Sequence, residues 1–201
     1  LDLLTKSKIQ FISRIFFMSE QIEQSIVKDT KSFGSLKKII LWVRKNNLRL
    51  PEVIINTGVK LITNFRGKLG EEYYIVIEQI FLAAIETQQF EAAKKALVIL
   101  KEKFSESTKI QKMTGIYQEA IGDVDKATDI YDKLLYENSL AHDVRKRKIS
   151  LLRCNGDNNE AIQELNKYLE DNMCDKEAWN ELGDIYLEKL NYSKALFCYE
   201  Q

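Results

Sequence analysis

A chain of 201 residues that is 45% hydrophobic and 30% charged has the balance of one domain or one continuous array, and it can bury a core. A single proline and eight glycines argue against strand-and-turn architectures and favour an all-α chain rich in Leu, Ile, Lys and Glu. The formal charge is zero, but residues 1–70 carry 13 Lys or Arg against 5 Asp or Glu, and residues 71–201 carry 17 against 25, so a basic front of +8 precedes an acidic body of −8.

Residues 1–17, LDLLTKSKIQFISRIFF, mix basic and apolar residues and lead to Met18, which reads as the true start behind a non-native or disordered extension. The competing reading, a targeting or amphipathic membrane segment, lacks a long apolar stretch and a small-residue cleavage site. Residues 18–70 read as an N-terminal helical cap. Within it, SLKKIILWVRKNN predicts a helix with Ser35 as N-cap and Leu36, Ile39, Ile40 and Val43 on one stripe. Pro51 then opens a second helix, with Val53, Ile54, Val59, Leu61 and Ile62 as its apolar positions.

From about residue 71 the chain repeats. Ala93, Ala127, Ala161 and Ala195 recur every 34 residues, and Leu97, Tyr131, Leu165 and Tyr199 follow each by four, on the same helical face. The most complete unit reads Trp179-x-x-Leu182-Gly183-x-x-Tyr186, then Ala195-x-x-x-Tyr199, which fits the tetratricopeptide (TPR) template of two antiparallel helices per 34 residues. Gly115 is the counterpart of Gly183, and Gly122-Asp123 and Gly156-Asp157 are matching turns. Four units follow, at about 74–107, 108–141, 142–175 and 176–201. The last stops inside its second helix, so a continuation beyond Gln201 is expected. The predicted fold is a right-handed all-α solenoid of TPR type.

Chemistry-bearing motifs are sparse. His142 is the single histidine and stands at a repeat start, where capping is the common role. No nucleophile-histidine set, zinc-protease motif, dinucleotide loop or phosphate loop occurs, so no catalytic residue, cofactor or metal site is assigned. Cys154, Cys174 and Cys198 form no C-x-x-C pair and read as small buried hydrophobes in a reduced compartment. No run of eighteen apolar residues occurs.

The run Arg145-Lys146-Arg147-Lys148 lies on the first helix of the third unit, and Arg145 and Lys148 take template packing places. Either their stems cover the neighbouring unit while the charges reach water, or the run binds carboxylates or carbonyls of a partner. A nucleic-acid patch fits poorly beside an acidic array. First helices line the groove of such arrays, through template positions 2, 5, 9 and 12. These are Lys109, Lys112, Ile116 and Glu119; Asp143, Lys146, Ser150 and Arg153; then Glu177, Asn180, Asp184 and Leu187.

Segments IEQIFLAAIE (77–86), MTGIYQEAIGDVDKATDIYDKLL (113–135), RKRKISLL (145–152), EAIQELNKYLE (160–170), DKEAWNELGDIYL (175–187) and YSKALFCYE (192–200) resemble the family of subunit 2 of the endoplasmic reticulum (ER) membrane protein complex. The resemblance covers about residues 71–201 and reaches non-template residues such as RKRK and ALFC. It implies a non-catalytic scaffold peripheral to the cytoplasmic face of the ER membrane. Such a scaffold braces membrane-embedded subunits and a second soluble subunit of a complex that inserts tail-anchored and other transmembrane segments. The alternative is a free TPR adaptor or co-chaperone. The carboxylate clamp of co-chaperones is not matched, since Ile116, Arg147, Glu177 and Glu181 replace its residues.

Overall fold

Helix-forming residues separated by short polar turns give ten α-helices and no strand in the computed structural model, which describes residues 32–46 and 48–201. The expectations for residues 1–17 and Met18 lie outside the described residues. In chain order the helices are α1 (Phe33–Lys45), α2 (Pro51–Leu69), α3 (Glu72–Glu86), α4 (Phe90–Lys103), α5 (Thr108–Ala120), α6 (Val124–Glu137), α7 (His142–Asn155), α8 (Asn158–Asp171), α9 (Lys176–Glu188) and α10 (Tyr192–Tyr199). They fall into two compact units divided between Lys103 and Phe104. The helices of the first predicted repeat therefore belong with α1 and α2.

In the first unit, α1 packs on α2, α2 on α3 and α3 on α4. Leu36, Ile40 and Val43 are buried, as the stripe predicts. The cap differs from expectation: Ser32, not Ser35, is the N-cap, and its hydroxyl accepts the Ser35 N–H at 3.3 Å. Pro51 starts α2, where its missing N–H costs nothing. The buried face of α2 is also shifted. Val59 is exposed, while Thr57, Gly58 and Leu61 are buried. The reason is close approach: a Cβ on Gly58 would stand 2.7 Å from Ile80 on α3, so small residues rather than branched ones set this contact.

In the second unit each helix packs on the next from α5 to α10. One core gathers Ile149, Ala161, Leu165, Tyr168, Leu182 and Cys198; a second gathers Ala127, Tyr131, Leu134, Val144 and Leu151. All four ladder alanines are buried, because any larger side chain would push its helix off the neighbour. Where the first helix is narrow its partner is wide. Gly115 faces the Tyr131 ring and Gly183 faces the Tyr199 ring, whereas the third repeat places Ile149 and Leu165 at the same two positions. Of the cysteines only Cys198 is buried; Cys154 and Cys174 are exposed, contrary to expectation, since both stand on solvent faces near helix ends.

The turns repeat as strictly as the packing. Gln88, Gly122, Gly156 and Leu190, spaced by 34, all have positive φ (57°, 83°, 87° and 58°). Each is followed by a residue whose N–H bonds back five positions: Gln89 to Ala84, Asp123 to Gln118, Asp157 to Leu152 and Asn191 to Tyr186, at 2.8–2.9 Å. That bond closes the first helix of every repeat and reverses the chain into the second.

Candidate partner-binding face

The first helices α5, α7 and α9 of the second unit carry the residues predicted to meet partners. Each has one side committed to its own second helix, which leaves long polar side chains along the other. Those side chains reach the neighbouring first helix. Lys112 on α5 pairs with Asp143 on α7 at 2.5 Å, and Arg147 on α7 returns to Glu119 on α5 at 3.2 Å. Arg153 on α7 spans to Glu181 and Glu188 on α9, each at 3.3 Å. The result is a ladder of ion pairs between consecutive repeats. Exposed pairs of this kind contribute about 0–1 kcal/mol each, so the ladder fixes register more than it adds stability.

The basic run is the centre of that ladder. Arg145 is 8% exposed and donates from Nη2 to the Ser139 carbonyl at 2.8 Å, with Asp171 4.0 Å away. Its charge therefore does not reach water, as the stem-covering reading had it; a backbone carbonyl in the α6–α7 turn takes it instead. Lys148 lies 2.6 Å from Asp132 and 3.6 Å from Glu164. Burial would lower its pKa, but the Asp132 hydrogen bond and both carboxylate charges outweigh that and raise it. Glu164, which burial pushes up, is held low by its bond to Lys167 and the charge of Lys148.

Lys146 closes a second cluster. Its ammonium sits 2.6 Å from Asp175 and 5.2 Å from the centre of the Tyr168 ring, and the Tyr168 hydroxyl donates to Asp175 at 2.7 Å. Asp175 is also the N-cap of α9, accepting the Ala178 N–H at 3.2 Å. The bonds from Lys146 and Tyr168 hold its carboxyl down to about 2. His142 stacks edge-on against Tyr168, with its Nδ1 3.1 Å from Asn172 Nδ2. It supports the turn between repeats.

The other predicted face residues divide by exposure. Lys109, Asn180 and Asp184 are exposed, and Asp184 accepts the Tyr199 hydroxyl at 2.6 Å. Ser150 is exposed and returns its hydroxyl to the Lys146 carbonyl. Ile116 is buried and takes no part in an open surface. Trp179 is half-buried, with its indole N–H donating to the Met173 carbonyl; it and Tyr186 pack against the core that holds Leu182, while Gly183 is buried and faces Tyr199. A hollow of about 400 Å³ opens where α5 begins, α6 ends and α7 begins, lined by Lys109, Lys112, Leu134, Leu140 and Asp143 among others. Glu119 and Asp143 were predicted as groove positions, but their pairing with the neighbouring repeat was not read from the sequence. The available signal was opposite charges at a recurring spacing of 28 residues, as at Glu119/Arg147 and Arg153/Glu181. Among the described residues no cluster of His, Cys, Asp or Glu has the make-up of a metal site, and no helix is long and apolar enough to cross a membrane.

Comparison with known proteins gives the family and the fold. The family model described as the EMC2 TPR-like repeat domain matches residues 97–201. ER membrane protein complex subunit 2-A of Xenopus laevis is 38% identical over 164 residues, which is 82% of this chain and 55% of that protein. ER membrane protein complex subunit 2 of Dictyostelium discoideum is 31% identical over 183 residues, 89% of this chain and 57% of that protein. The chain spans about half the length of the curated relatives it matches. Among solved structures, a tetratricopeptide repeat protein from Parabacteroides merdae superposes with a TM-score of 0.69 at 16% identity, covering 94% of this chain and 72% of that one. That likeness is one of fold.

Proposed function

Because the chain belongs to the family of ER membrane protein complex subunit 2, we propose that it is a non-catalytic TPR scaffold of such a complex. It sits peripherally on the cytoplasmic face of the ER membrane. There it braces the membrane-embedded subunits, together with a second soluble subunit, while transmembrane segments, including tail-anchored ones, are inserted. It takes no cofactor and binds no nucleic acid.

The observation that carries this reading is the ion-pair ladder across α5, α7 and α9. A free adaptor that grips short peptides needs unspent charges in its groove, as a carboxylate clamp does. Here Lys112, Lys146, Arg147 and Arg153 are spent on neighbouring repeats. They hold the array in one register, which is what a brace requires. The exposed Lys109, Asn180 and Asp184, with the outer surfaces of Lys146, Ser150 and Arg153, form the face offered to partner subunits. The basic front of +8 suits a seat near an anionic membrane surface.

The test is affinity purification of the tagged protein from detergent-solubilised membranes. Recovery of integral membrane subunits in stoichiometric amounts is the expected result. Recovery of chaperones alone, or of RNA, would overturn the scaffold reading in favour of an adaptor or an RNA-binding array.

A further inference from the structure

The first unit contains a cleft that the scaffold reading does not use. It lies between the end of α1, the segment leading into α2, and α3, and has a volume of about 250 Å³. Its walls are mainly apolar, from Val43, Leu48, Leu50, Ile54, Leu82 and Ala83. Leu82 is 43% exposed on α3, beside the buried Phe81 and Ala83. A cleft of this size admits one large apolar side chain.

Two polar features say what accompanies that side chain. Arg44 and Arg49 line the α1 side, and neither has a carboxylate partner among the described residues. On the α3 side, Gln79 lines the cleft with its Oε1 buried and without a hydrogen-bond partner. A buried acceptor left unmade costs about 1–3 kcal/mol, so a donor met by the Gln79 side chain once it turns toward the cleft would recover that cost. Glu86, also on α3, makes the opposite wall unfavourable for an anion.

We propose that this cleft binds an extended segment of a partner protein, with a leucine-sized side chain in the hollow, a neighbouring carboxylate on Arg44 and Arg49, and a backbone N–H given to Gln79 Oε1. The arginines supply the orientation, because the carboxylate is drawn to the α1 wall and away from Glu86. The basic balance of residues 1–70 steers an acidic segment to this end of the chain rather than to the acidic repeats. The site is independent of complex membership, since it is tested with a peptide and the isolated chain.

The experiment is a fluorescence-anisotropy titration of the full chain with a labelled peptide carrying one leucine between two aspartates. Saturable binding is expected with Kd below about 1 mM. The double variant Arg44→Glu, Arg49→Glu should weaken it by about tenfold or more, as should replacing the peptide's leucine with serine. Gln79→Leu removes the orphaned acceptor, so it should raise the thermal midpoint of the free chain while weakening the peptide. That combination separates a binding role from a structural one. Absence of saturation, equal binding by the charge-reversed variant whose helical circular dichroism is unchanged, or unaltered affinity in Gln79→Leu would each overturn the proposal.

Discussion

Gly115 and Tyr131 share one volume: a Cβ placed on the glycine would stand 2.4 Å from Cε1 of the ring. The ring crosses the first helix of its own repeat at that point, and its hydroxyl reaches Glu119 at 2.8 Å, where Arg147 also arrives. A single hydrogen at position 115 thus connects the internal packing of one repeat to the ion-pair ladder between two. Burial, with the Glu119 bond and charge next in weight, pushes the Tyr131 phenol far above its ordinary range, so the hydroxyl keeps its proton and donates to Glu119 at neutral pH.

Gly115→Ala is therefore expected to destabilise the second unit by about 1–3 kcal/mol through overpacking against a fully buried ring. Gly183→Ala, which meets the half-exposed Tyr199 ring at 2.8 Å, should cost less because that ring can move. Adding Tyr131→Leu to Gly115→Ala should recover part of the loss, since the third repeat already tolerates Ile149 opposite Leu165. Urea unfolding of the parent, Gly183→Ala, Gly115→Ala, Tyr131→Leu and the double variant checks this, and additivity of Gly115→Ala with Tyr131→Leu would contradict it.

Leu190 occupies a left-handed turn at φ 58° where the second and third repeats use glycine, and its side chain is 70% exposed. Leu190→Gly should stabilise the chain by about 0.5–1 kcal/mol, because the side chain pays for its backbone conformation and loses little packing. A rise in thermal midpoint is the reading; a fall would mean that Leu190 packs in a way its exposure does not reveal.

Within the basic run the four positions should respond unequally. Arg145→Ala leaves the Ser139 carbonyl without its donor and empties a buried position, with an expected cost of about 2 kcal/mol. Lys146→Ala, at an exposed position, should cost under about 1 kcal/mol. Equal losses in chemical denaturation would show that burial does not decide the difference.

Asp175 gives the chain an acid-sensitive contact. Its folded pKa of about 2 lies below the ordinary 3.8, so its contribution is fully present above about pH 4 and is lost as pH falls through 2. Asp175→Asn should lower the thermal midpoint at pH 7, and the gap from the parent chain should shrink steadily between pH 4 and pH 2. A gap that stays constant across that window would remove the carboxylate from the account.

The repeat register was legible because a tight crossing admits only alanine, and alanine at a fixed spacing stands out against variable surface residues. Gly115 and Gly183 were legible for the same reason. The α2 face was misplaced at Val59 because periodicity counts large apolar residues, whereas α2 meets Ile80 through Thr57 and Gly58. Gln88 and Leu190 escaped notice as turn residues because only their spacing, not their side chains, marks them. The environment of Arg145 was beyond reach, since its main partner is a backbone carbonyl and no residue identity encodes it. Ile116 occupied a groove position in the template yet is buried on α5.

The ladder's pairs cross repeat boundaries, whereas each Gly–Tyr slot closes within one repeat. These repeats are consequently not interchangeable beads. A graft that exchanges one unit for a consensus copy would keep its internal fit and strand charges on both flanks, so insertion and deletion are safest in multiples that preserve each donor beside its acceptor. Because the third repeat pairs with both the second and the fourth, the smallest piece that keeps every donor beside its acceptor is all three.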